Sequence, residues 1–343
     1  MAKKKTKEKE PKKELSRTAE ILKKIQVGSE FEDFTVADAN KIENIPTIPS
    51  GLLSVDLILG GGYPQGRIVE LFGSEGSGKT TLALQAVASA QSRGGVGAFV
   101  DVEHAVSLPY AQELGVDVSR LLFGQPDSGE KALSAVEAFC ENMQPGDIIV
   151  VDSVANLVPE LELKGEMGDQ HVGLQARMMS QAMRRLTAIV SRSGATVIFI
   201  NQLRHKIGVI YGSNETTTGG RALKFYASQR IEVKPAGRIK GPKDEIVGQK
   251  VRLKVVKNKI AMPFKEEILE LYFGSGFSRT KDLLQQGVEN KIISKNGAWY
   301  YYGDNTLGQG SDKAAFALSQ YPDVMSFIEK TVLEKHGIDA RSQ

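Results

Sequence analysis

The chain has 343 residues, 41% of them hydrophobic and 25% charged, with a net charge of +3. That balance belongs to a globular protein, and with no apolar run near the ~20 residues of a membrane helix it excludes a membrane-spanning role and a membrane partner. One cysteine, Cys140, excludes an intrachain disulfide framework, and the basic start runs into further charge and not into an apolar leader, so a reducing cytoplasm is the expected location.

Residues 1–15 are Lys- and Glu-rich with little to bury and are read as a disordered charged tail. A helix is expected to begin near Ser16, whose hydroxyl can cap it, and to run through Ala19, Ile21, Leu22 and Ile25 to Gly28. It lies in an N-terminal segment, 16–47, set off by Pro46 and Pro49. From 48 to 278 short apolar runs alternate with helical spacing. The runs 69–72, 98–102, 147–151 and 196–201 are rich in Val, Ile and Phe, as central parallel strands are when helices cover both faces. Segments 79–91 and 175–192 have helical spacing, and the alternation predicts a mostly parallel, doubly wound α/β sheet. The later runs 230–234, 250–257 and 266–273 alternate more and predict antiparallel additions. A small α/β domain is expected over 279–337, with helical patterns at 281–286 and 324–335 and an aromatic cluster at 299–302, followed by a tail, 338–343.

The strongest motif is Gly73-Ser74-Glu75-Gly76-Ser77-Gly78-Lys79-Thr80, a complete phosphate loop between a predicted strand and a helix opening at Thr81. Its glycines let backbone N–H groups wrap phosphates, Lys79 brings charge to them, and the Thr80 hydroxyl suits Mg²⁺ at the helix N-terminus. ATP and Mg²⁺ are therefore the expected ligands. Asp152, ending the run 148–151, is the candidate metal partner, although an aspartate there equally suits a helix N-cap. Glu103 follows a second strand at the same sheet end and is the candidate base for water; capping the next helix is the alternative. Gln202 ends a third strand, where it would either report on the terminal phosphate or serve as an ordinary strand-end amide.

The stretch 202–220 lacks periodicity and is long for a loop. It mixes Arg204 and Lys206 with Ile207, Gly208 and Val209, and closes on Thr218, Gly219 and Gly220. Such residues pair with phosphates and wedge against bases, though the same composition suits a surface or protein-contacting loop. A second glycine-punctuated loop, 164–173, contains Met167 and Val172. The run 254–259 carries three lysines, either as an aggregation-resistant edge strand or as cations supplied to a neighbour's phosphate.

Taken together, the phosphate loop, Val102-Glu103-His104-Ala105, Val150-Val151-Asp152-Ser153-Val154, the run 175–184, Asn201-Gln202, Glu215-Thr216-Thr217-Thr218-Gly219-Gly220 and 254–261 resemble the bacterial RecA recombinases from about Ile48 to Tyr302. The resemblance implies a RecA-like phosphate-loop ATPase core, with a polymerisation helix in the N-terminal segment. It implies a DNA-dependent ATPase that forms helical homo-oligomeric filaments on single-stranded DNA and exchanges strands with duplex DNA during repair. By the same resemblance Glu103 activates water, Gln202 couples ATP to DNA, and Tyr110 stacks on adenine. Both loops, with Arg177 and Arg184, contact DNA; Lys257 and Lys259 reach the neighbour's ATP, and Phe225 lies at the subunit interface. A stress-response (SOS) repressor is a further implied partner, on a surface near Gly237 and Arg252. Three departures stand out. Ser107 replaces a common aspartate near adenine, the N-terminal segment matches the usual polymerisation helix poorly, and no acidic tail follows residue 337, for which weaker autoinhibition is expected. Two rivals share parts of this pattern. A ring-forming helicase or packaging motor would share the phosphate loop, and an ATP-gated DNA-coating protein would need no Glu103.

Overall fold

Strands buried on both faces are built mainly of apolar residues, and Ile68–Gly73, Gly97–Asp101 and Ile148–Asp152 are buried at every position. The computed structural model describes residues 17–26, 35, 45–166, 171, 173–205 and 215–339. Its central strand is Ile68–Gly73, hydrogen-bonded in parallel to Thr196–His205 on one side and to Gln229–Lys240 on the other. Beyond Thr196–His205 the parallel order continues through Ile148–Asp152, Gly97–Asp101 and Leu121–Gly124. Beyond Gln229–Lys240 the sheet turns antiparallel through Ile246–Asn258, Glu266–Tyr272 and the short Gly276–Phe277.

Alternate side chains along each strand feed two cores. Val69, Leu71, Phe99, Val150 and Ile200 pack beneath the helices Leu53–Leu59 and Lys79–Ser92. Ile68, Val100, Val151 and Phe199 pack on the opposite face against Gly129–Asn142 and Leu174–Ser193. The expected helices and strands are present within a few residues of their predicted limits, with two exceptions. The run 230–234, expected as an antiparallel addition, lies in a strand that runs parallel to Ile68–Gly73 and antiparallel only to Ile246–Asn258, so the parallel sheet extends one strand further than its alternating pattern suggested. The strand expected to stop at 201 continues to His205 and pairs antiparallel with Glu215–Thr217, so Gln202 lies inside a strand and not at the start of a loop.

Two buried carboxylates lie beneath this sheet. Asp56 Oδ1 accepts the Ser50 N–H at 2.7 Å, and burial pushes this carboxyl up to about 8. Asp282, from the helix Arg279–Glu289, accepts the Ser54 N–H at 3.2 Å, and Gln286 Nε2 donates to the Ser54 hydroxyl at 3.1 Å. These bonds fasten the last segment, a three-stranded antiparallel sheet of Ser294–Asn296, Trp299–Tyr302 and Asn305–Gln309 with helices Ser311–Ser319 and Pro322–Lys335. Its own core holds Leu283, Ile293, Leu307, Leu318 and Ile328. Residues 1–44 form a separate unit in which Arg17–Ile25 is helical, with Glu20 in its first turn and Lys23 and Lys24 in its last, as the helix dipole favours. The Ser16 cap lies outside the described residues. Cys140 is buried, and burial drives its thiol up to about 12.

Candidate functional site

The phosphate loop leaves Ile68–Gly73 and enters the helix that begins at Lys79. At Gly73 nothing but glycine fits, since a Cβ would stand 2.0 Å from the Val233 carbonyl oxygen on the adjacent strand. Lys79 Nζ donates to the carbonyls of Ser74 at 2.7 Å and Gly73 at 3.3 Å. Burial lowers its pKa, opposed by the charges of Asp152, Glu103 and Glu75. Ser77 Oγ is buried with no hydrogen-bond partner among the described residues, a polar atom that a phosphate oxygen would satisfy. Gln249, which the sequence reading missed, reaches from the antiparallel strands and donates to the Gly76 carbonyl at 2.8 Å, holding the loop's tip.

Asp152 ends its strand beside this loop, and Thr80 Oγ1 donates to its Oδ2 at 2.6 Å. Burial pushes Asp152 up to about 6, with Glu103 and Asp101 adding to the rise and the Thr80 bond opposing it. The side chain caps no helix: the turn Val154–Asn156 starts from Ser153 without a side-chain cap. A hydroxyl and a carboxylate are hard oxygen donors that suit Mg²⁺, which takes few protein ligands and fills its shell from phosphates and water.

Glu103 is exposed, and its backbone N–H donates to the Asp152 carbonyl at 3.1 Å, as Val102 does at 2.7 Å. It does not cap the following helix, Leu108–Glu113; Ser107 does, accepting the Tyr110 N–H at 3.4 Å. The segment bearing Glu103 is shaped by Asp101, wholly buried, whose carboxylate accepts Val106 N at 3.1 Å, Ala105 N at 3.4 Å and Gln125 Nε2 at 2.9 Å. Asp101 went unmarked in the sequence; a carboxylate closing an apolar strand was the available signal. Tyr110 is half-buried, its hydroxyl 3.0 Å from Thr81 Oγ1.

Gln202 stands opposite Gly73 in the parallel register, so this half-buried amide flanks the start of the phosphate loop. Past it, Arg204 is exposed and pairs in the ladder with Thr216. The return passes Thr218 and two glycines with left-handed backbones, φ 75° at Gly219 and 79° at Gly220. A Cβ would meet Val154 Cγ1 at 2.7 Å and Ala176 Cβ at 2.9 Å respectively. Arg177 and Arg184 are both exposed and lie two turns apart on one face of Leu174–Ser193. Lys206, Ile207, Gly208, Val209, Met167 and Val172 lie outside the described residues.

On the other side of the central strand, the run 254–259 falls mostly within Ile246–Asn258, an interior strand and not an edge strand, paired with Gln229–Lys240 as far as Asn258 and with Glu266–Tyr272 as far as Lys254. Lys257 Nζ donates to the Lys224 and Phe225 carbonyls at 2.8 Å, and burial together with Lys259 and Arg230 lowers its pKa. Lys259 and Phe225 are exposed, Phe225 at 70%. The structure therefore gathers Lys79, Thr80, Asp152, Glu103 and Gln202 around one sheet end, and leaves Lys259 and Phe225 facing outward.

Comparison with known proteins agrees with this arrangement. The RecA N-terminal domain model matches residues 18–278 and the RecA C-terminal domain model residues 281–337. Protein RecA of Syntrophus aciditrophicus is 51% identical over 304 residues, 88% of each chain. Protein RecA of a Thermus thermophilus strain is 55% identical over 296 residues, covering 86% of this chain and 87% of that one. A crystal structure of the RadB recombinase shares the fold at 22% identity, with a TM-score of 0.51 over 67% of this chain and 98% of that one. Among the described residues no helix is long and apolar enough to cross a membrane. The chain belongs to the RecA family, and its work is DNA recombination and repair.

Proposed function

We propose that this chain is a DNA-dependent ATPase that assembles as a helical filament on single-stranded DNA and carries out strand exchange with a duplex. The observation that supports it most is the register of Gln202 against Gly73. One strand passes the start of the phosphate loop and runs straight into the Leu203–Thr217 ladder, so a contact at the phosphate and the order of the hairpin share a backbone.

On this reading the loop from Gly73 to Gly78, with Lys79 and Thr81, binds the phosphates of ATP, and Tyr110 supports the adenine. Thr80 and Asp152 hold a Mg²⁺, which supplies charge neutralisation to the phosphates when bound. Glu103 orients and deprotonates the attacking water, its approach set by the two backbone bonds to the Asp152 carbonyl. Lys257 and Lys259 serve the ATP of the adjacent subunit, whose contact includes Phe225. Arg177, Arg184, Arg204, Thr218, Gly219 and Gly220 line the DNA path, joined by Met167, Val172 and 206–209. Residues 48–278 then form the working core, 16–47 the polymerisation segment and 279–337 the small C-terminal domain. The surface near Gly237 and Arg252 is the proposed contact for a stress-response repressor.

ATP hydrolysis measured with and without single-stranded DNA, with electron microscopy of the same samples, tests the reading. Stimulation together with open helical filaments is expected. DNA-independent turnover or closed rings would move the chain to the motor class.

A further inference from the structure

A polar network lies across the central strand, three residues before the phosphate loop. Glu70 is wholly buried; one carboxylate oxygen accepts Asn201 Nδ2 at 2.9 Å and the other accepts Arg230 Nε at 2.5 Å. Asn201 is used to the full. Its Oδ1 accepts the Gln202 N–H at 2.9 Å and the Thr218 hydroxyl at 2.6 Å, and its Nδ2 also donates to the Thr218 carbonyl at 3.2 Å. On the opposite side, the Arg230 guanidinium lies 4.6 Å over the Phe72 ring, and Arg230 is the register partner of Lys257.

Every other residue of Ile68–Gly73 before the glycine is apolar, and a carboxylate among them is expensive to desolvate. Buried ion pairs are poor stabilisers compared with packed apolar side chains, but they fix which groups face one another. The pairs fixed here are the neighbours of the two groups assigned to sense nucleotide: Gln202 by way of Asn201, and Lys257 by way of Arg230.

We infer that Glu70 is a positioning residue that couples the nucleotide site to the DNA hairpin. It holds Asn201, and so sets the Gln202 backbone and the Thr218 end of the hairpin as one unit, and it relates that unit to the strand bearing Lys257. The inference rests on the DNA-stimulated ATPase reading. It adds that the two ligands feel each other through this carboxylate, reciprocally, as linkage requires.

The test compares wild type with Glu70→Gln and with the paired variant Glu70→Met/Arg230→Met. The glutamine keeps an acceptor for Asn201 but turns an amide N–H₂ toward Arg230. The paired variant removes both charges together and leaves neither buried alone, which restores ordinary packing. In each, ATP turnover and affinity for a fluorescent ATP analogue are measured with and without a single-stranded oligonucleotide. DNA-independent affinity and turnover should stay within about twofold of wild type, while the enhancement by DNA falls by about tenfold or more; reciprocally, the gain in oligonucleotide affinity on adding the analogue should shrink by the same factor. Recovery of wild-type enhancement in the paired variant would reduce Glu70 to a structural role and overturn the inference, as would equal losses with and without DNA. If the paired variant does not fold, Glu70→Gln alone decides by the same criteria. A wild-type protein that DNA does not stimulate would overturn the functional reading and the inference with it; a stimulated wild type with an equally stimulated Glu70→Gln overturns the inference alone.

Discussion

Asp101→Asn isolates the contribution of one buried carboxylate to the position of Glu103. The substitution preserves shape, so its effect comes from the three hydrogen bonds that Asp101 accepts. An asparagine has one acceptor oxygen. Its best orientation keeps the bonds from Val106 N and Gln125 Nε2 and sets its own N–H₂ against Ala105 N, formerly the longest contact at 3.4 Å. Bonds to a charged acceptor contribute about 1.5–3 kcal/mol and neutral ones about 0.5–1.5, so weakening the Val106 bond by about 1–1.5 and losing the long Ala105 bond, at the low end of about 1.5, removes roughly 2.5–3 kcal/mol from the segment 102–106. Only the positioned segment hydrolyses ATP, and each 1.4 kcal/mol is a factor of about ten, so kcat should fall about thirtyfold or more. None of the three bonds that Asp101 accepts comes from a phosphate-loop residue, and KM for ATP should change less than about threefold. Steady-state hydrolysis with saturating single-stranded DNA, beside binding of a non-hydrolysed analogue, reads both quantities. Unchanged kcat, or a loss confined to KM, would refute the role given to Asp101 and weaken that of Glu103.

Four further outcomes are expected. Because burial lifts Asp152 to about 6 and a metal needs its ionised form, Mg²⁺-dependent nucleotide binding should weaken about tenfold between pH 7.5 and pH 5, with the dependence absent in Asp152→Asn. Asp56 keeps its proton in the folded state up to about 8, whereas the unfolded chain releases it near 4, so stability falls as pH rises across that window; Tm between pH 6.5 and 8.5 should decline less in Asp56→Asn. Gly219→Ala combines a left-handed backbone, about 1–2 kcal/mol, with overpacking on Val154, about 1–3 kcal/mol, and fluorescence anisotropy should show oligonucleotide affinity down at least about tenfold with nucleotide affinity retained. Lys79→Ala and Lys257→Ala should each lose DNA-stimulated hydrolysis, while mixing the two should recover part of it by pairing an intact phosphate loop with a neighbour's intact lysine; no recovery would count against service in trans.

Four of the parallel strands were legible because burial on both faces leaves mostly apolar residues, and the phosphate loop because its glycines and Lys79 answer a local demand. Leu121–Gly124, short and half exposed, was not read, and the alternating run 230–234 suggested an antiparallel strand where a parallel one stands. What escaped reading depended on partners distant in the chain. Nothing near Glu70 announces Asn201 or Arg230, and Gln249 reaches Gly76 from a strand that begins far downstream. The extension of Thr196–His205 past Asn201 is equally non-local, since Leu203–His205 are held in a strand by pairing with 215–217. The helix Leu53–Leu59 is apolar on nearly every side because it is buried between the sheet and the last segment, which erases the amphipathic pattern. Asp101 and Glu70 stood in plain view as charges within apolar runs, and each would have been found by asking what such a charge must be bonded to.

The two ends of the large sheet have a bearing on colloidal behaviour. Among the described residues it closes at one side on Gly276–Phe277, a strand of 2 residues, and at the other on Leu121–Gly124, a strand of 4. A strand as short as Leu121–Gly124 offers few unpaired backbone groups to a passing chain. The two-residue strand covers only Leu271 and Tyr272, and the outer side of Glu266–Glu270 is guarded instead by its three glutamates, charges that discourage the strand addition by which sheets aggregate without limit. A protein proposed to polymerise at high local concentration therefore has little capacity for growth through its backbone. Association is left to side-chain surfaces such as the one around Phe225, where sequence controls it and depolymerisation remains open.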